Sequence, residues 1–279
     1  MQNFNIFEIL LLQPLSNGLI LFYKYLGQNM GLAIILFSLF LRVVLNPLTK
    51  PYMESMKKIK DVAPALEKLK KKYKGDKMKL AQAQADLYKS KGVNPSAGCL
   101  PYLLQIVILI AFFNVFSKTL YPNVDTLQAF NKYLYEPLKF SAGTVLNTGF
   151  LYLDVKTPDT FNLGFLPFAI PGPILILAAL TQFVSAKISQ PYVKEEERIA
   201  KKTESGADDM QVAMQKSMIY TFPLMTILIG YRFPSGLALY WLVFSLTQTY
   251  QQYKSSGWGG LTPMIKKLGL SSLLNSKDQ

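Results

Sequence analysis

An arginine lies inside the apolar stretch 30–48, a segment about as long as a helix needs to cross a bilayer. The side chain of Arg42 is charged at every physiological pH, and an ionised group in hydrocarbon costs roughly 3 kcal/mol on insertion scales. Ser38 and Asn46 lie four residues before and after it, so the three side chains share one face of a helix. This stripe predicts a polar functional site within the membrane. The alternative is that Arg42 extends to the nearer membrane surface, since Lys50 lies about two helical turns away.

Composition restricts the chemistry further. The chain has 279 residues, 50% of them hydrophobic, and a mean hydropathy of +0.20, which is typical of a membrane protein with a soluble appendage. It has no histidine, which excludes histidine-based triads and most zinc sites, and its single cysteine, Cys99, excludes an internal disulfide. No Asp or Glu falls in the long uncharged stretches, whereas proton-coupled transporters and intramembrane aspartyl proteases need such carboxylates. We therefore expect no enzyme activity, no metal and no cofactor.

The uncharged stretches predict an all-α polytopic membrane protein with five transmembrane helices. The basic residues orient it, because 23 Lys and Arg fall on one side of the predicted membrane and six on the other, with Arg42 between them. Cytoplasmic loops carry the excess of positive charge, so we expect the N-terminus outside and the C-terminus in the cytosol. The predicted boundaries are 1–29 for an interfacial amphipathic helix, 30–49, 93–117, 165–187, 216–232 and 233–253 for the five spans, 50–92 for a cytosolic helical hairpin, 118–164 for an extracellular segment, 188–215 for a cytosolic loop and 254–279 for a cytosolic tail.

The first residues of the chain are predicted to lie on the outer membrane surface. Residues 14–26 alternate leucines and a phenylalanine with polar side chains, which is the pattern of an interfacial amphipathic helix. The stretch before them contains Glu8 and no basic residue, so a cleaved signal peptide fits poorly. A second, weaker membrane span in this region is the alternative.

The segment 50–92 is the only strongly charged part of the chain, with thirteen lysines and five acidic residues. Its apolar residues recur every three or four positions, and Gly75–Asp76 marks a turn, which together predict two antiparallel helices. The lysines offer a surface for anionic partners, namely lipid headgroups, ribosomal RNA or acidic patches on targeting factors. The alternative is a solvated face with the ordinary positive charge of a cytosolic loop. The lysines that we expect to bind partners are Lys68, Lys70, Lys71 and Lys72.

Four stretches of the sequence are more specific. They are GLAIILFSLFLRVVLNPLTKP (31–51), APALEKLKKKYKGDKMKL (63–80), KGVNPSAGCLPYLLQIVILIAFF (91–113) and FPSGLALYW (233–241). Together, and in this order, they resemble the YidC/Oxa/Alb family of membrane protein insertases across nearly the whole chain. The charged arginine of that family corresponds to Arg42. One departure is Ser245, near which most members carry an asparagine.

The resemblance implies a protein that inserts integral membrane proteins and helps them fold. Such proteins arrange five helices around a hydrophilic groove that is open to the cytosol and the lipid but closed on the outside. The stripe of Ser38, Arg42 and Asn46 would form one wall, and its arginine would attract the polar tail of the incoming protein. The other candidate groove residues are Gln105, Thr181, Gln182, Ser185, Trp241, Thr247, Gln248 and Gln251. For each Gln or Thr the alternative is a hydrogen bond that holds two helices together.

The resemblance also implies partners and a location. Nascent membrane proteins are the expected substrates, and the ribosome, the Sec translocon, signal recognition components and anionic lipids are candidate partners, whereas DNA is not. The lack of an arginine-rich transit segment and of a large periplasmic domain favours the bacterial plasma membrane. The alternative function is a small-solute channel or transporter, but such proteins often contain internal repeats and none relates the five predicted spans.

Overall fold

The computed structural model describes residues 5–73, 75–92, 100–121, 124–189 and 208–274. Most of these residues are helical, so the expected helical fold is confirmed at this level. A π-helical turn, Glu8–Leu12, leads into the first α-helix. The helices are α1 (Gln13–Tyr25), α2 (Met30–Lys72), α3 (Lys77–Ser90), α4 (Leu100–Thr119), α5 (Thr126–Tyr133), α6 (Pro173–Ser189), α7 (Asp208–Gly230), α8 (Ser235–Ser256) and α9 (Thr262–Lys267).

Two small antiparallel sheets interrupt the helices between α5 and α6. Strand β1 (Gly149–Phe150) pairs with β2 (Leu153–Asp154), and β3 (Thr160–Phe161) pairs with β4 (Ile170–Pro171). The sequence predicted no strand here, because strands of two residues are too short to produce a recognisable alternation of apolar and polar side chains. The fold is therefore mostly helical rather than purely α.

Helix α2 joins two segments that the sequence divided at residue 50. It continues past Pro47 and Pro51, so the first helix of the basic hairpin is an extension of the first apolar segment. Helix α6 begins at Pro173, whereas the third span was expected from residue 165. Helices α7 and α8 are separated only by residues 231–234, which include the boundary at 232–233 that was predicted between the fourth and fifth spans.

One helix of the described chain has the length and apolar character to cross a membrane by itself. Its most apolar window, Met30–Pro47 of α2, has a mean hydropathy of 1.9. Shorter apolar stretches occupy Ile106–Thr119 in α4, Pro173–Ser189 in α6 and Ile219–Gly230 in α7. The fifth predicted span, 233–253, lies in α8, whose C-terminal turns are rich in Gln and Thr.

The chain separates into two compact units. Unit 1 comprises Met1–Val44, Gln105–Phe183 and Thr221–Thr247, and unit 2 comprises Leu45–Leu104, Val184–Tyr220 and Gln248–Gln279. The core of unit 1 contains stacked aromatic rings, with the centroids of Phe112 and Tyr240 4.2 Å apart and Phe37 6.1 Å from Phe112. Gly18 lets α1 approach this core closely, because a Cβ there would lie 2.5 Å from the Phe37 ring.

Helix α1 packs against α5 and the turn Glu136–Leu138 that follows it, and buries Leu19 and Ile20 completely. The amide of buried Asn17 joins the two, since its Nδ2 donates to the Tyr133 carbonyl at 2.9 Å and its Oδ1 accepts from the Tyr135 N–H at 2.8 Å. Part of the face that was expected to lie on the membrane surface is therefore covered by protein. An amide buried with both its donor and its acceptor paired avoids the cost of an unmade hydrogen bond.

A charged contact adds to this attachment near the start of the described chain. The ammonium of Lys118 lies 3.0 Å from Glu8 Oε1, and the Tyr133 hydroxyl donates to the same oxygen at 3.4 Å. The hydrogen bond from Lys118 and one from the Asn5 N–H hold the pKa of Glu8 below its ordinary value. Since the side chain of Lys118 is more than a third exposed, the pair orients the two segments and contributes little net stability.

The segment between α5 and α6 caps the N-terminus of α6. Asp159 is 1% exposed, and its Oδ2 accepts the Leu175 N–H at 2.8 Å. The Tyr152 hydroxyl donates to this carboxylate at 3.2 Å and accepts the Ile174 N–H at 3.0 Å. A carboxylate at this position satisfies helix N–H groups that have no partner within the helix and interacts favourably with the helix dipole.

The N-terminus of α8 is capped by backbone carbonyls of the same segment. The N–H groups of Ser235 and Gly236 donate to the carbonyls of Thr157 and Val155 at 2.8 and 3.1 Å. The Ser235 hydroxyl donates to the Asp154 carbonyl at 3.0 Å. Residues 154–159 therefore hold the N-terminal ends of both α6 and α8.

Unit 2 contains the turn between α2 and α3 and the C-terminal segment. At the turn, Gly75 has φ +96°, and Asp76 accepts the Lys79 N–H at 3.0 Å, which caps α3. This hydrogen bond and the Lys79 ammonium hold the pKa of Asp76 below its ordinary value. In the C-terminal segment, Ile188 of α6 packs in an apolar cluster with Leu261 and Ile265.

The cap on α6 predicts that Gly172→Ala destabilises the protein by roughly 1–3 kcal/mol, the usual cost of overpacking. A Cβ at this position would overlap the Asp159 carboxylate, so that side chain would have to leave the first turn of the helix. Thermal unfolding in detergent, followed by circular dichroism, measures the destabilisation. Gly149→Ala is the matched control, because its Cβ would find its nearest atom at 3.6 Å. Equal unfolding temperatures for the two variants would contradict the prediction.

Candidate functional site

Arg42 lies in α2 and is partly buried against α8. Its guanidinium carbon is 4.7 Å from the centroid of the Phe244 ring, within the range of a cation–π interaction. Such a contact stabilises a cation in apolar surroundings while leaving its charge in place. Ser38, one turn earlier, is buried, and its hydroxyl donates to the Ile34 carbonyl of its own helix at 2.5 Å. The Ser38 hydroxyl therefore already donates its hydrogen bond to a carbonyl of α2.

The ring beneath Arg42 belongs to a row of aromatic side chains. Phe244 lies 6.1 Å from Tyr240, which stacks on Phe112 of α4. Sequence reasoning missed this row, because aromatic residues in an apolar span look like ordinary core residues. The available signal was the spacing of Tyr240 and Phe244, which places both rings on one face of α8.

Two pairs of polar side chains join α6 to its neighbours within unit 1. Gln182 Oε1 accepts the Thr226 hydroxyl of α7 at 2.6 Å. The hydroxyl oxygens of Thr181 and Ser245, the latter in α8, are 2.6 Å apart. For Gln182 and Thr181 these contacts favour the alternative interpretation, in which polar residues hold helices together.

The remaining candidates have different surroundings. Trp241 is 6% exposed and belongs to the apolar core of unit 1, so it contributes shape rather than polarity. Asn46 is exposed and Gln248 is partly buried, and both belong to unit 2. Gln105 lies in α4, but its side chain is outside the described part of the structure.

Three further candidates lie in α6 and α8. Ser185 is buried, and its carbonyl accepts the Ser189 hydroxyl at 2.8 Å. The Thr247 hydroxyl donates to the Val243 carbonyl at 3.0 Å, and Gln251 is partly buried.

The structure describes the side chains of two of the four candidate lysines in the basic hairpin. Lys68 and Lys72 are exposed on α2, and the Lys72 ammonium is 5.2 Å from the ring of Tyr73. The side chains of Lys70 and Lys71 lie outside the described atoms. Among the described residues, no three His, Cys, Asp or Glu side chains come together in a way that could hold a metal ion.

Comparison with known proteins identifies the family. The family model described as 60Kd inner membrane protein matches residues 21–257. Membrane protein insertase YidC of Fusobacterium nucleatum is 34% identical over 230 residues, which cover 82% of this chain and 87% of that protein. The YidC insertases of Syntrophobacter fumaroxidans and Rickettsia akari are both 32% identical over 86% of this chain. The chain spans only 37% and 38% of these two longer proteins.

A solved structure is also similar. It is an active YidC insertase with its first transmembrane domain resolved, matched with a TM-score of 0.49 and 24% identity over 86% of this chain and 46% of that one. The four sequence stretches had predicted membership of an insertase family, and the family model and the relatives confirm that prediction. The chain belongs to the 60Kd inner membrane protein family, whose curated relatives here are named YidC membrane protein insertases.

Proposed function

We propose that this chain is a membrane protein insertase that uses Arg42 to draw the polar tail of its substrate into the membrane. The activity is the one for which its relatives are named, and one of them aligns with most of this chain. The single structural observation that carries the mechanism is the position of Arg42. In an otherwise apolar stretch of α2, its guanidinium is held over Phe244 at 4.7 Å.

The physical problem for an insertase is the cost of moving a polar tail through hydrocarbon. Backbone amides and charges lose their hydration there, at several kcal/mol for each group without a partner. A groove that admits water from the cytosol removes this cost over part of the distance. The apolar segment of the substrate then moves sideways into lipid, with a gain of about 0.8 kcal/mol for each buried CH₂ group. No covalent step and no cofactor are needed.

Arg42 supplies the attraction in this scheme. An acidic side chain of the incoming tail pairs with the guanidinium more strongly than it would in water, because the surroundings have a lower dielectric constant. The Phe244 ring holds the guanidinium in place without neutralising it. Asn46, Gln248 and Gln105 remain proposed groove residues because of the polarity of their side chains.

The apolar surfaces of the helices support the membrane placement. Large apolar side chains are exposed along α4, α6 and α7, for example Ile110, Leu180 and Leu228. Exposed apolar surface of this extent is unfavourable in water and favourable against lipid. With α2 and α8, these helices make the five spans, with the N-terminus outside and the C-terminus in the cytosol as the lysines indicate.

The outer side of the groove is closed in this proposal. The hydrogen bonds that the first turns of α6 and α8 donate to residues 154–159, together with the Asn17 bridge, support closure within unit 1. The basic hairpin of α2 and α3 faces the cytosol. There Lys68, Lys70, Lys71 and Lys72 bind the ribosome or anionic lipid, and the Sec translocon is a further partner.

The test of the site is Arg42→Ala in reconstituted liposomes. We expect insertion of a substrate with an acidic translocated tail to fall about tenfold, which corresponds to about 1.4 kcal/mol less stabilisation, while a neutral tail is much less affected. Arg42→Lys keeps the charge and should retain more activity. Protection of the tail from added protease measures insertion.

Arg232→Ala is the matched control for this test, since Arg232 is an exposed arginine just after α7. Equal insertion of every substrate by wild type and Arg42→Ala would remove Arg42 from the mechanism. Stimulated leakage of small solutes from the same liposomes, without tail protection, would instead support a channel.

Charge reversal on the hairpin tests the landing surface. We expect Lys68→Glu with Lys72→Glu to weaken ribosome binding several-fold and to reduce the slope of log affinity against log salt by about 1 for each phosphate that is no longer neutralised. Co-sedimentation of the solubilised protein with ribosomes over a salt series measures both. The control pair Lys132→Glu and Lys156→Glu makes the same charge change on the proposed outer side. An unchanged salt slope for the hairpin pair would refute the landing surface.

A third variant separates the groove from the helix contacts. Thr226→Val removes the hydroxyl that donates to Gln182, so we expect the stability to fall by roughly 0.6 kcal/mol, the average for such bonds in a membrane protein, with insertion retained. Thr119→Val is the control, because the Thr119 hydroxyl donates to the Val115 carbonyl of its own helix. Thermal unfolding in detergent gives the difference. If Thr226→Val abolished insertion without lowering stability, Gln182 and Thr226 would belong to the groove.

A further inference from the structure

The loop between β3 and β4, residues 162–169, exposes large apolar side chains. Phe165 is 78% exposed, Phe168 60% and Leu163 44%. Between Phe161 and Ala169 the only polar side chain is that of Asn162. A soluble surface would not place three such residues together at the tip of a short hairpin.

This loop is held in place by its surroundings. The pairing of Phe161 with Ile170 closes its base, and the Tyr231 hydroxyl, at the end of α7, donates to the Ala169 carbonyl at 3.0 Å. Within the loop, the Phe165 N–H donates to the Leu163 carbonyl at 2.8 Å. The apolar side chains are thus presented by a fixed backbone.

The apolar surface continues along the chain into α6. That helix begins at Pro173, and its exposed Ile176, Leu177 and Leu180 follow the loop with no charged residue in between. Lipid is the partner that suits a continuous apolar surface of this kind, whereas a protein interface normally has a polar rim with hydrogen bonds.

We propose that the β3–β4 loop inserts Leu163, Phe165 and Phe168 into the outer leaflet of the bilayer and anchors the outer ends of α6 and α7 there. The proposal rests on the membrane placement given under the proposed function. Irregular backbone is not tolerated against hydrocarbon, so the loop lies at the interface and only its side chains reach the acyl chains. Aromatic residues are suited to this depth.

Spin labels test the depth of the loop directly. Single cysteines at positions 165 and 168, on a Cys99→Ser background, carry the label in vesicles of phosphatidylethanolamine and phosphatidylglycerol that contain no other protein. Collision rates with oxygen, which concentrates in lipid, and with a water-soluble nickel chelate are compared by power saturation. Two reference labels define the scale. Position 180, on the exposed face of α6, is the reference for lipid, and position 145, between α5 and α6, where Val145 is 90% exposed, is the reference for water.

We expect the labels at 165 and 168 to resemble the label at 180, with an oxygen-to-nickel ratio several-fold above that at 145. If 180 is immersed while 165 and 168 are as accessible to nickel as 145, the anchor is overturned and the membrane placement stands. Protection of the loop only in native membranes would likewise overturn it, in favour of a protein partner. Nickel access at 180 would overturn the membrane placement and the anchor together. Because two loop positions are labelled, misfolding of one variant does not decide the result.

Discussion

Keeping a guanidinium charged among apolar helices is the constraint on which the rest of the proposed site depends. Hydrocarbon offers it no hydration, so its neighbours must supply a favourable electrostatic surface. Phe244 does this for Arg42 through the face of its ring. The ring is in turn part of an aromatic row that includes Tyr240 and Phe112 in the core of unit 1. The position of the charge is therefore set by packing across α2, α4 and α8.

Polar contacts in the rest of unit 1 serve chiefly to fix helix ends and helix pairs. Asp159 and the carbonyls around residue 155 satisfy the first turns of α6 and α8, where unpaired N–H groups would otherwise need water. Midway along α6, the hydrogen bond from the Thr226 hydroxyl to Gln182 joins α6 to α7. The distinction matters for function, because a polar residue that already has a protein partner is less available to a substrate. Of the candidates within unit 1, Arg42 is the one with a permanent charge, and its guanidinium lies over the ring of Phe244.

The sequence was most informative where local chemistry decides the structure. Neighbouring residues along the chain were enough to identify the charge of Arg42 within an apolar stretch, the turn at Gly75–Asp76 and the boundary predicted at residues 232–233. The four stretches that predicted the family are likewise short runs of consecutive residues. The contacts that the sequence could not reveal are long-range ones. Nothing near Phe244 indicates that it faces Arg42, and nothing near Asp159 indicates that it caps a helix that begins at Pro173.

The sequence divided the first span from the basic hairpin at residue 50, whereas α2 continues past both Pro47 and Pro51. The four strands between α5 and α6 were not predicted, because a strand of two residues cannot show an alternation of apolar and polar side chains. Several candidate groove residues, Gln182 among them, were selected for polarity alone. Polarity does not say whether a side chain faces a groove or another helix.

The bridge made by Asn17 has a consequence for how the protein itself is made. Its partner, the carbonyl of Tyr133, is 116 residues further along the chain. During synthesis, α1 can complete this bridge only after the chain has been made as far as Tyr133, the last residue of α5. Nearly half of the chain is therefore made before this amide is fully paired, and until then α1 leaves a polar group unsatisfied that a chaperone of membrane proteins could shield.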